Sequence, residues 1–353
     1  MSTSARKSRQ TPKKFTFVDV CCGIGAFHIA LKKQGGTCVL ACDRNEKSKS
    51  VYLKNHGDTL WHDDIYSLAS LPRHDVFCAG FPCTTFSLAG LREGTDDDDA
   101  GQIIFKIMAL LGDAVKHDRA PTLVLLENVV GLLSIHEGQT MKYIVETLEG
   151  MGYAVDARVH DAADFGAPMH RKRVIIAATR RGSFPTDKGP VQKKTPACIK
   201  DFIVPVTDSE LETEEDGSLD LAEQSYVVLP QKDWYEKNGK IFVGFRTAVK
   251  YESDDLAKIS SHKQALKIYH EDGQAENFTG SHRYAFYVDG KVRFLTTREM
   301  YACMGFPKAF KLYTGAGDKA HRSVRLRQLS NSINLHMLVP VCKWAVDHGL
   351  GVA

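Results

Sequence analysis

The sequence predicts an α/β fold in which an open parallel sheet carries helices on both faces, followed by a smaller β-rich region. Between residues 15 and 180, short apolar, β-branched runs alternate with segments of helical periodicity, a pattern typical of such sheets. After about residue 181, Gly, Pro, Lys and Thr become frequent and two hairpin signals follow. The chain has 353 residues, of which 43% are hydrophobic and 25% charged. A chain of this kind can bury the core of one large or two modest domains.

The elements of the first region follow in a regular order. A strand at residues 15–20 enters a Gly-rich turn, and an apolar helix continues through Ala30 and Leu31. Further short apolar runs predict strands at residues 37–41, 75–79, 122–126 and 174–178. Helical periodicity predicts helices at residues 103–115 and 141–151. Strands that alternate with helices in this way indicate a sheet wrapped on both faces.

The second region has a different pattern. An acidic stretch at residues 208–216 favours an exposed loop, with a functional acidic patch as the alternative. Two hairpins are predicted, each around a dipeptide that favours a tight turn. The dipeptides are Asn238-Gly239, between strands at residues 233–236 and 241–245, and Asp289-Gly290, between strands at residues 284–288 and 292–295. Helical periodicity returns at residues 297–304 and 335–346.

Composition excludes several classes of protein. No apolar run approaches the roughly 18–20 residues that span a bilayer, and the polar, basic residues 1–14 do not form a secretory signal. The nine cysteines include no CxxC spacing, which indicates reduced thiols in an intracellular compartment and neither a disulfide framework nor a metal site. The basic N-terminus fits either a nuclear address or a disordered arm. The net charge of +3 says little about partners.

A candidate nucleoside site lies at the Gly-rich turn. The sequence FVDVCCGIGAF at residues 17–27 has the turn glycines Gly23 and Gly25 but lacks a third glycine at residues 27–28, which disfavours a dinucleotide site and a nicotinamide oxidoreductase. Asp43 ends the second predicted strand and can bind ribose hydroxyls. Asp63, Asp64 and Ile65 can hold an adenine edge. Acids at successive strand ends surround a nucleoside without a pyrophosphate, which fits S-adenosylmethionine; turn glycines with solvated acids are the alternative.

A candidate nucleophile follows the strand at residues 75–79. Cys83 stands at the carboxyl edge of the predicted sheet, where α/β folds build their sites, and Pro82 stiffens its approach. A buried structural role is the usual one for a cysteine. The flanking pattern Pro-Cys-x-x-Phe-Ser favours a nucleophile instead.

Two more polar segments reach the same edge. Glu127 ends an apolar strand, and burial would raise its pKa so that it could give a proton to a ring nitrogen; a helix start capped by Asn128 is the alternative. Arg171 and Arg173 stand two residues apart at a predicted strand start, so both are expected to point to one face. A basic turn on a solvated edge is the alternative reading of these arginines.

Together these segments resemble the cytosine-C5 DNA methyltransferase family. The Gly-rich turn, residues 82–87, residues 127–129 and residues 171–173 are similar to its first, fourth, sixth and eighth motifs, in the family's order. Residues 293–307 look like the ninth motif, and residues 328–332 look like the tenth. The resemblance spans residues 15–346 apart from roughly 188–290, where the family keeps its variable target-recognition region.

The resemblance implies a Rossmann-like S-adenosylmethionine-dependent methyltransferase sheet with a smaller β-rich target-recognition domain. The catalytic and cofactor-binding domain would comprise residues 15–187 and 325–353, the recognition domain and hinge residues 188–324, and a basic, disordered arm residues 1–14. The implied partner is duplex DNA, from which the target cytosine is flipped under a mobile loop at residues 87–101. A basic surface at residues 291–327, which carry nine Lys and Arg, could face phosphates. The protein is expected to be a monomer.

The resemblance also implies residue roles. Cys83 would add to C6 of the cytosine, Glu127 would stabilise the charge at N3, and Arg173 would contact the base carbonyl. Arg171 would support Glu127, and Asn128 would fix the backbone of Pro82 and Cys83. The product of the methyl donor would be S-adenosylhomocysteine. The implied cofactor-binding residues are Asp19, Cys21, Gly23, Gly25, Phe27, Asp43, Arg44, Asp64, Ile65, Pro82, Asn331 and Ser332.

The sequence also departs from the family pattern. Cys21 replaces an aromatic residue that would stack on adenine, and Arg44 replaces another, although a guanidinium can also stack. Met169 replaces a common glutamine, and Ser330 replaces a glycine. Two alternatives therefore stay open: the transfer-RNA-acting branch of the family, and a regulatory protein that kept the fold without turnover. Phe81-Pro82-Cys83 and the full-sized variable region favour DNA.

Overall fold

The computed structural model describes residues 14–57, 59–82, 99–193, 195, 197–203, 226–246, 267–278, 284–315 and 322–351. These residues form two sheets. The strands are β1 (Phe15–Val20), β2 (Gly36–Cys42), β3 (Trp61–His62), β4 (Val76–Gly80), β5 (Leu123–Val129), β6 (Ala154–Asp161), β7 (Lys172–Thr179), β8 (Tyr226–Val228), β9 (Tyr235–Lys237), β10 (Lys240–Arg246), β11 (Lys267–His270), β12 (Ala285–Val288) and β13 (Lys291–Phe294). The α-helices are α1 (Ala26–Lys32), α2 (Glu46–His56), α3 (Asp99–Lys116), α4 (Gln139–Gly150), α5 (Thr297–Cys303), α6 (Arg322–Asn331) and α7 (Leu335–Gly349).

The first sheet has the strand order β3-β2-β1-β4-β5-β7-β6. Strands β1 to β5 pair in parallel, as predicted. Strand β7 departs from the predicted parallel arrangement, because it runs antiparallel to both β5 and β6. Strands β6 and β7 are joined by residues 162–171, and this connection is shorter than the crossover of a dozen or more residues that a parallel pair needs.

Helices cover both faces of this sheet, which confirms the α/β prediction. Strand residues alternate between the faces, so Leu125 belongs to the core that contains Leu338 of α7. Its neighbour Val124 belongs to the core on the opposite face, which contains Ile107 of α3. Both strand residues are completely buried, which explains the continuous apolar runs in the sequence.

The second sheet has the order β13-β12-β11-β10-β8, with β9 paired to β10. Both predicted hairpins are present, as β9–β10 and β12–β13. The turn residues Asn238 and Gly239 have φ values of 53° and 74°, and Asp289 and Gly290 have values of 48° and 80°. Positive φ at both central residues defines the tight turn that Asn-Gly and Asp-Gly favour. This sheet is the β-rich unit expected after residue 188.

The C-terminal helices return the chain to the first sheet. Helix α7 shares a buried core with α1, and the Thr179 hydroxyl donates to the Gly349 carbonyl at 2.7 Å. This packing supports the predicted catalytic domain of residues 15–187 and 325–353, whose bounds stay a prediction. Among the helices in the described ranges, none combines the length and apolar character needed to cross a membrane.

Candidate active site

Two connected cavities lie at the carboxyl ends of β1, β2, β4 and β5. The first, of about 500 Å³, lies between the Gly-rich turn, the start of α2 and helix α6. The second, of about 890 Å³, extends over Asp64, Pro82 and Asn128. Both have Cys21, Gly80 and Glu127 in their walls, so they form one cleft. Ligand sites of open α/β sheets occur at this edge, where strand order reverses between β1 and β4.

The Gly-rich turn is held by the neighbouring strand. The Gly23 N–H donates to Asp43 Oδ2 at 2.8 Å, and the Cys22 N–H donates to the Cys42 carbonyl at 3.2 Å. Cys21 itself has a positive φ of 52°. Gly25 has a φ of 89°, and a Cβ atom there would lie 2.2 Å from His56 Nε2. Only glycine fits this position without displacing the His56 ring.

Asp43 lines the second cavity and is held in place by two backbone N–H groups. Its Oδ1 accepts from the Asn45 N–H at 2.8 Å, while Oδ2 accepts from Gly23. Burial raises its pKa, and these two backbone hydrogen bonds counteract that rise. A carboxylate has about four acceptor sites, so Asp43 keeps capacity for a ligand in the second cavity, which it lines.

The other predicted cofactor residues divide into two groups. Most line the cleft, whereas Asp19 and Gly25 are absent from its walls. Asp19 is completely buried and lines neither cavity, so its contact with the cofactor stays a prediction. Gly25 contributes indirectly, because its lack of a side chain lets the turn pass close to His56. The lining residues are Cys21, Gly23, Phe27, Arg44, Asn331 and Ser332 in the first cavity, and Cys21, Gly23, Asp43, Arg44, Asp64, Ile65, Pro82 and Asn331 in the second.

Replacing Asp19 by asparagine is expected to remove part of the pH dependence of stability. Burial raises the pKa of Asp19 to about 8, whereas an unfolded chain has an aspartate pKa of about 3.9. Unfolding therefore releases a proton between these pH values, and the folded state loses stability as pH rises through that window. In urea denaturation, the free energy of unfolding of Asp19→Asn minus that of the parent chain should become more positive from pH 5 to pH 8. A difference independent of pH would contradict this assignment.

Glu127 is the buried carboxyl of the cleft. It is 8% exposed and lines both cavities. Its Oε1 lies 3.0 Å from Arg173 Nε. Burial raises the pKa of Glu127, whereas the charges of Arg173 and Arg171 counteract that rise. A carboxyl in this balance can change its protonation state when a ligand displaces water or alters the ion pair.

The two arginines have different hydrogen-bond partners, although the charges of both act on Glu127, and the expected support of Glu127 by Arg171 stays a prediction. Arg173 forms the ion pair with Glu127. Arg171 instead donates to the carbonyl oxygens of Ser330 and Ser332, at 2.6 Å each. Strand β7 begins at Lys172, so Arg171 precedes it and the alternation of strand side chains does not apply to it.

Asn128 supports the segment that leads to the expected nucleophile. Its Nδ2 donates to the Phe81 carbonyl at 3.1 Å, and its Oδ1 accepts from the Val129 N–H at 2.8 Å. Cys83 lies outside the described residues, as do residues 87–98 of the expected mobile loop. Pro82, the neighbour of Cys83 in the chain, lines the second cavity.

Sequence reasoning missed part of the cleft wall. Asn45 and Ser48 at the start of α2, Ile103 of α3 and Gln328 of α6 line the cavities. Asn45 caps α2 by accepting from the Ser48 N–H at 3.0 Å. Asn at a helix start, two residues after a strand-end acid, is the signal that could have revealed this wall. In the described ranges, no group of three or more His, Cys, Asp and Glu side chains could hold a metal ion.

The fold and the cleft define an α/β protein with a ligand-sized cleft at the carboxyl edge of its sheet, lined by strand-end acids, a buried carboxyl and an arginine. The chain belongs to the C-5 cytosine-specific DNA methylase family, whose sequence model matches residues 15–344. The family assignment made from the ordered motifs is therefore confirmed, and the protein is an enzyme of the cytosine-C5 DNA methyltransferase class. Methyltransferases of this family generally use S-adenosylmethionine.

Individual relatives agree with this assignment. The chain is 31% identical to the Type II methyltransferase M.MspI of Moraxella sp over 330 residues, which cover 93% of this chain and 68% of the relative. It is 27% identical to the Type II methyltransferase M.HhaI of Haemophilus parahaemolyticus over 331 residues, covering 91% of each. Among solved structures, the S. pombe Dnmt2 methyltransferase matches 96% of this chain and 99% of its own, with a TM-score of 0.65 and 19% identity. That likeness shows the shared fold.

Proposed function

We propose that this protein transfers a methyl group from S-adenosylmethionine to C5 of a cytosine flipped out of duplex DNA, through a covalent adduct with Cys83. The observation that carries the proposal is the buried Glu127–Arg173 pair, which lines a cleft continuous with the Gly-rich turn. A carboxyl and a guanidinium side by side can recognise N3 and the neighbouring carbonyl of a cytosine. This pair thus supports a pyrimidine pocket next to the nucleoside site.

The cleft suits S-adenosylmethionine in size and in chemistry. Each of its two cavities, of about 500 and 890 Å³, lies within the range of about 300–1,000 Å³ that is usual for small-molecule sites. Asp43 and Asp64 offer acceptors for ribose and adenine, and Ile65 offers an apolar wall. Gln328 is 8% exposed, and its Oε1 is a buried acceptor without a hydrogen-bond partner among the described residues. That oxygen, with Asn331, would bind the amino-acid end of the cofactor. When bound, S-adenosylmethionine supplies an electrophilic methyl group.

Glu127 would hold a proton for N3 of the cytosine. Addition of a thiolate at C6 places negative charge on the ring, and a proton shared between Glu127 and N3 stabilises it. Burial already favours the protonated carboxyl. Arg173 orients Glu127 at 3.0 Å and would donate to the base carbonyl.

Cys83 would be the nucleophile. Its thiolate bonds to C6, and C5 then takes up the methyl group; loss of the C5 proton and expulsion of the thiolate restore the aromatic ring. Consecutive Cα atoms lie about 3.8 Å apart, so the position of Pro82 in the cleft wall supports this role. Asn128 holds the carbonyl of Phe81 and thereby fixes the approach to Pro82.

The proposal is tested by methyl transfer from labelled S-adenosylmethionine to three acceptors: duplex DNA containing cytosine, the same DNA without cytosine, and transfer RNA. We expect incorporation into the first alone, at C5 of cytosine. Transfer to RNA in preference to DNA would place the protein in the transfer-RNA-acting branch of the family. Binding of the cofactor without transfer to any acceptor would identify a protein without turnover.

A further inference from the structure

Arg171 is a buried cation held by neutral oxygens. It is 2% exposed, and its Nη2 donates at 2.6 Å to each of the carbonyls of Ser330 and Ser332. Its Nη1 donates at 2.7 Å to Oδ1 of Asn277. These are short, charge-assisted hydrogen bonds, of the stronger kind.

The three acceptors belong to two separate parts of the protein. Ser330 and Ser332 flank Asn331, and all three residues line the cleft. Asn277 follows β11 of the second sheet, beyond the isolated bridge between Met169 and Ala275. Arg171 itself stands just before β7 of the first sheet. One guanidinium therefore joins the first sheet, the cofactor side of the cleft and the β-rich unit.

We propose that Arg171 is a positioning residue that holds residues 330–332 against the cleft and ties them to the β-rich unit through Asn277. The planar guanidinium can donate to both carbonyls and to the amide at once, because its donors form a fixed fork. Segment 330–332 contains the last two residues of α6 and the residue after them, and it precedes Asn334, the cap of α7, where the chain changes direction. Arg171 fixes this change of direction and hence the position of Asn331.

This role predicts a defect in cofactor binding rather than in chemistry. If Arg171 acted through Glu127, its replacement would lower kcat and shift the pH profile. If it holds residues 330–332, Arg171→Lys, which keeps the positive charge near Glu127, weakens S-adenosylmethionine binding more than it lowers kcat at saturation. The inference rests on the proposed function for its ligand, yet cofactor affinity is measured without any methyl transfer.

The experiment compares Asn277→Ala, Asn277→Asp and Arg171→Lys in the full chain, with Arg119→Lys as the matched control. Arg119 also donates to a backbone carbonyl, that of Leu71 at 2.6 Å, but it lines a separate cavity with Asp75 and Thr122. Calorimetry gives the Kd for S-adenosylmethionine, and steady-state assays give KM and kcat.

We expect Asn277→Ala to raise both Kd and KM for S-adenosylmethionine by roughly fivefold, the effect of one lost hydrogen bond. Asn277→Asp keeps an acceptor for Arg171 and is expected to recover most of that loss. Arg171→Lys should raise Kd by about tenfold or more, because a single ammonium cannot reach all three acceptors.

Unchanged Kd in Asn277→Ala, or a fall in kcat with a shifted pH profile and an unchanged Kd in Arg171→Lys, would overturn the inference. If Arg171→Lys does not fold, the comparison of Asn277→Ala with Asn277→Asp tests the inference by itself. Failure of the proposed function can be told apart from failure of this inference. In the first case the parent chain transfers no methyl group, whatever the variants do to cofactor affinity.

Discussion

Cys83→Ala is expected to reduce methyl transfer to the background of an assay without enzyme. Alanine has no nucleophile to add at C6, and without that addition C5 of cytosine is too weakly nucleophilic to attack the methyl donor. Cofactor binding should persist, because the proposed contacts of S-adenosylmethionine lie on other residues. Calorimetry on the variant therefore separates loss of chemistry from loss of folding.

The adduct itself provides a second measurement. DNA with 5-fluorocytosine at the target cannot lose a proton from C5, so the thioether to C6 should accumulate and survive denaturing electrophoresis. We expect a protein–DNA band from the parent chain and from Cys198→Ala, and none from Cys83→Ala. Cys198 is a suitable control because it is only partly buried and lies apart from the cleft. A covalent band from Cys83→Ala would refute the assigned nucleophile.

Glu127→Gln is expected to lower kcat by roughly 10²- to 10⁴-fold, the usual worth of a positioned acid. Glutamine has nearly the same shape but cannot share a proton with N3, so the charge that forms on addition at C6 stays on the ring. The Kd for S-adenosylmethionine should change little. Glu149→Gln, at an exposed position of α4, is the matched control and should retain the parent rate.

The pH dependence of kcat in the parent chain should report the titration of Glu127. Glu127 acts in its protonated form, so kcat should fall as pH rises through its pKa, which burial raises above the usual glutamate value. Glu127→Gln should lose this fall at high pH, because its amide does not titrate in the range. A variant with the parent rate, or with the same high-pH limb, would show that another group supplies the proton.

Much of the fold could be predicted because its local signals agree with its tertiary structure. The run at residues 15–20 matches β1, and the dipeptides Asn238-Gly239 and Asp289-Gly290 form both hairpins. The direction of β7 could not be read in the same way. An apolar run is equally suited to parallel and antiparallel pairing when both faces are buried, and the length of the connection after β6 decides the outcome.

The site was predictable to the extent that its residues lie at strand ends. Glu127 and Asp43 follow apolar strands and line the cleft. The contacts of Arg171 were not predictable, because its partners Asn277 and Ser330 are 106 and 159 residues away in the chain. The full burial of Asp19 could not be read from its motif either, because a polar residue at a strand end is as compatible with an exposed position as with a buried one.

The first cavity is walled by residues of the Gly-rich turn and the start of α1 on one side and by residues of α6 and the segment after it on the other. A ribosome must therefore complete α6, which lies far from the Gly-rich turn in the chain, before the two walls can meet. Shortened chains that end before α6 would lack one wall, and S-adenosylmethionine could not stabilise their folding. Ligand-linked stabilisation is available only to a native state that contains the site, so the cofactor would stabilise chains that contain α6 and not those that end before it.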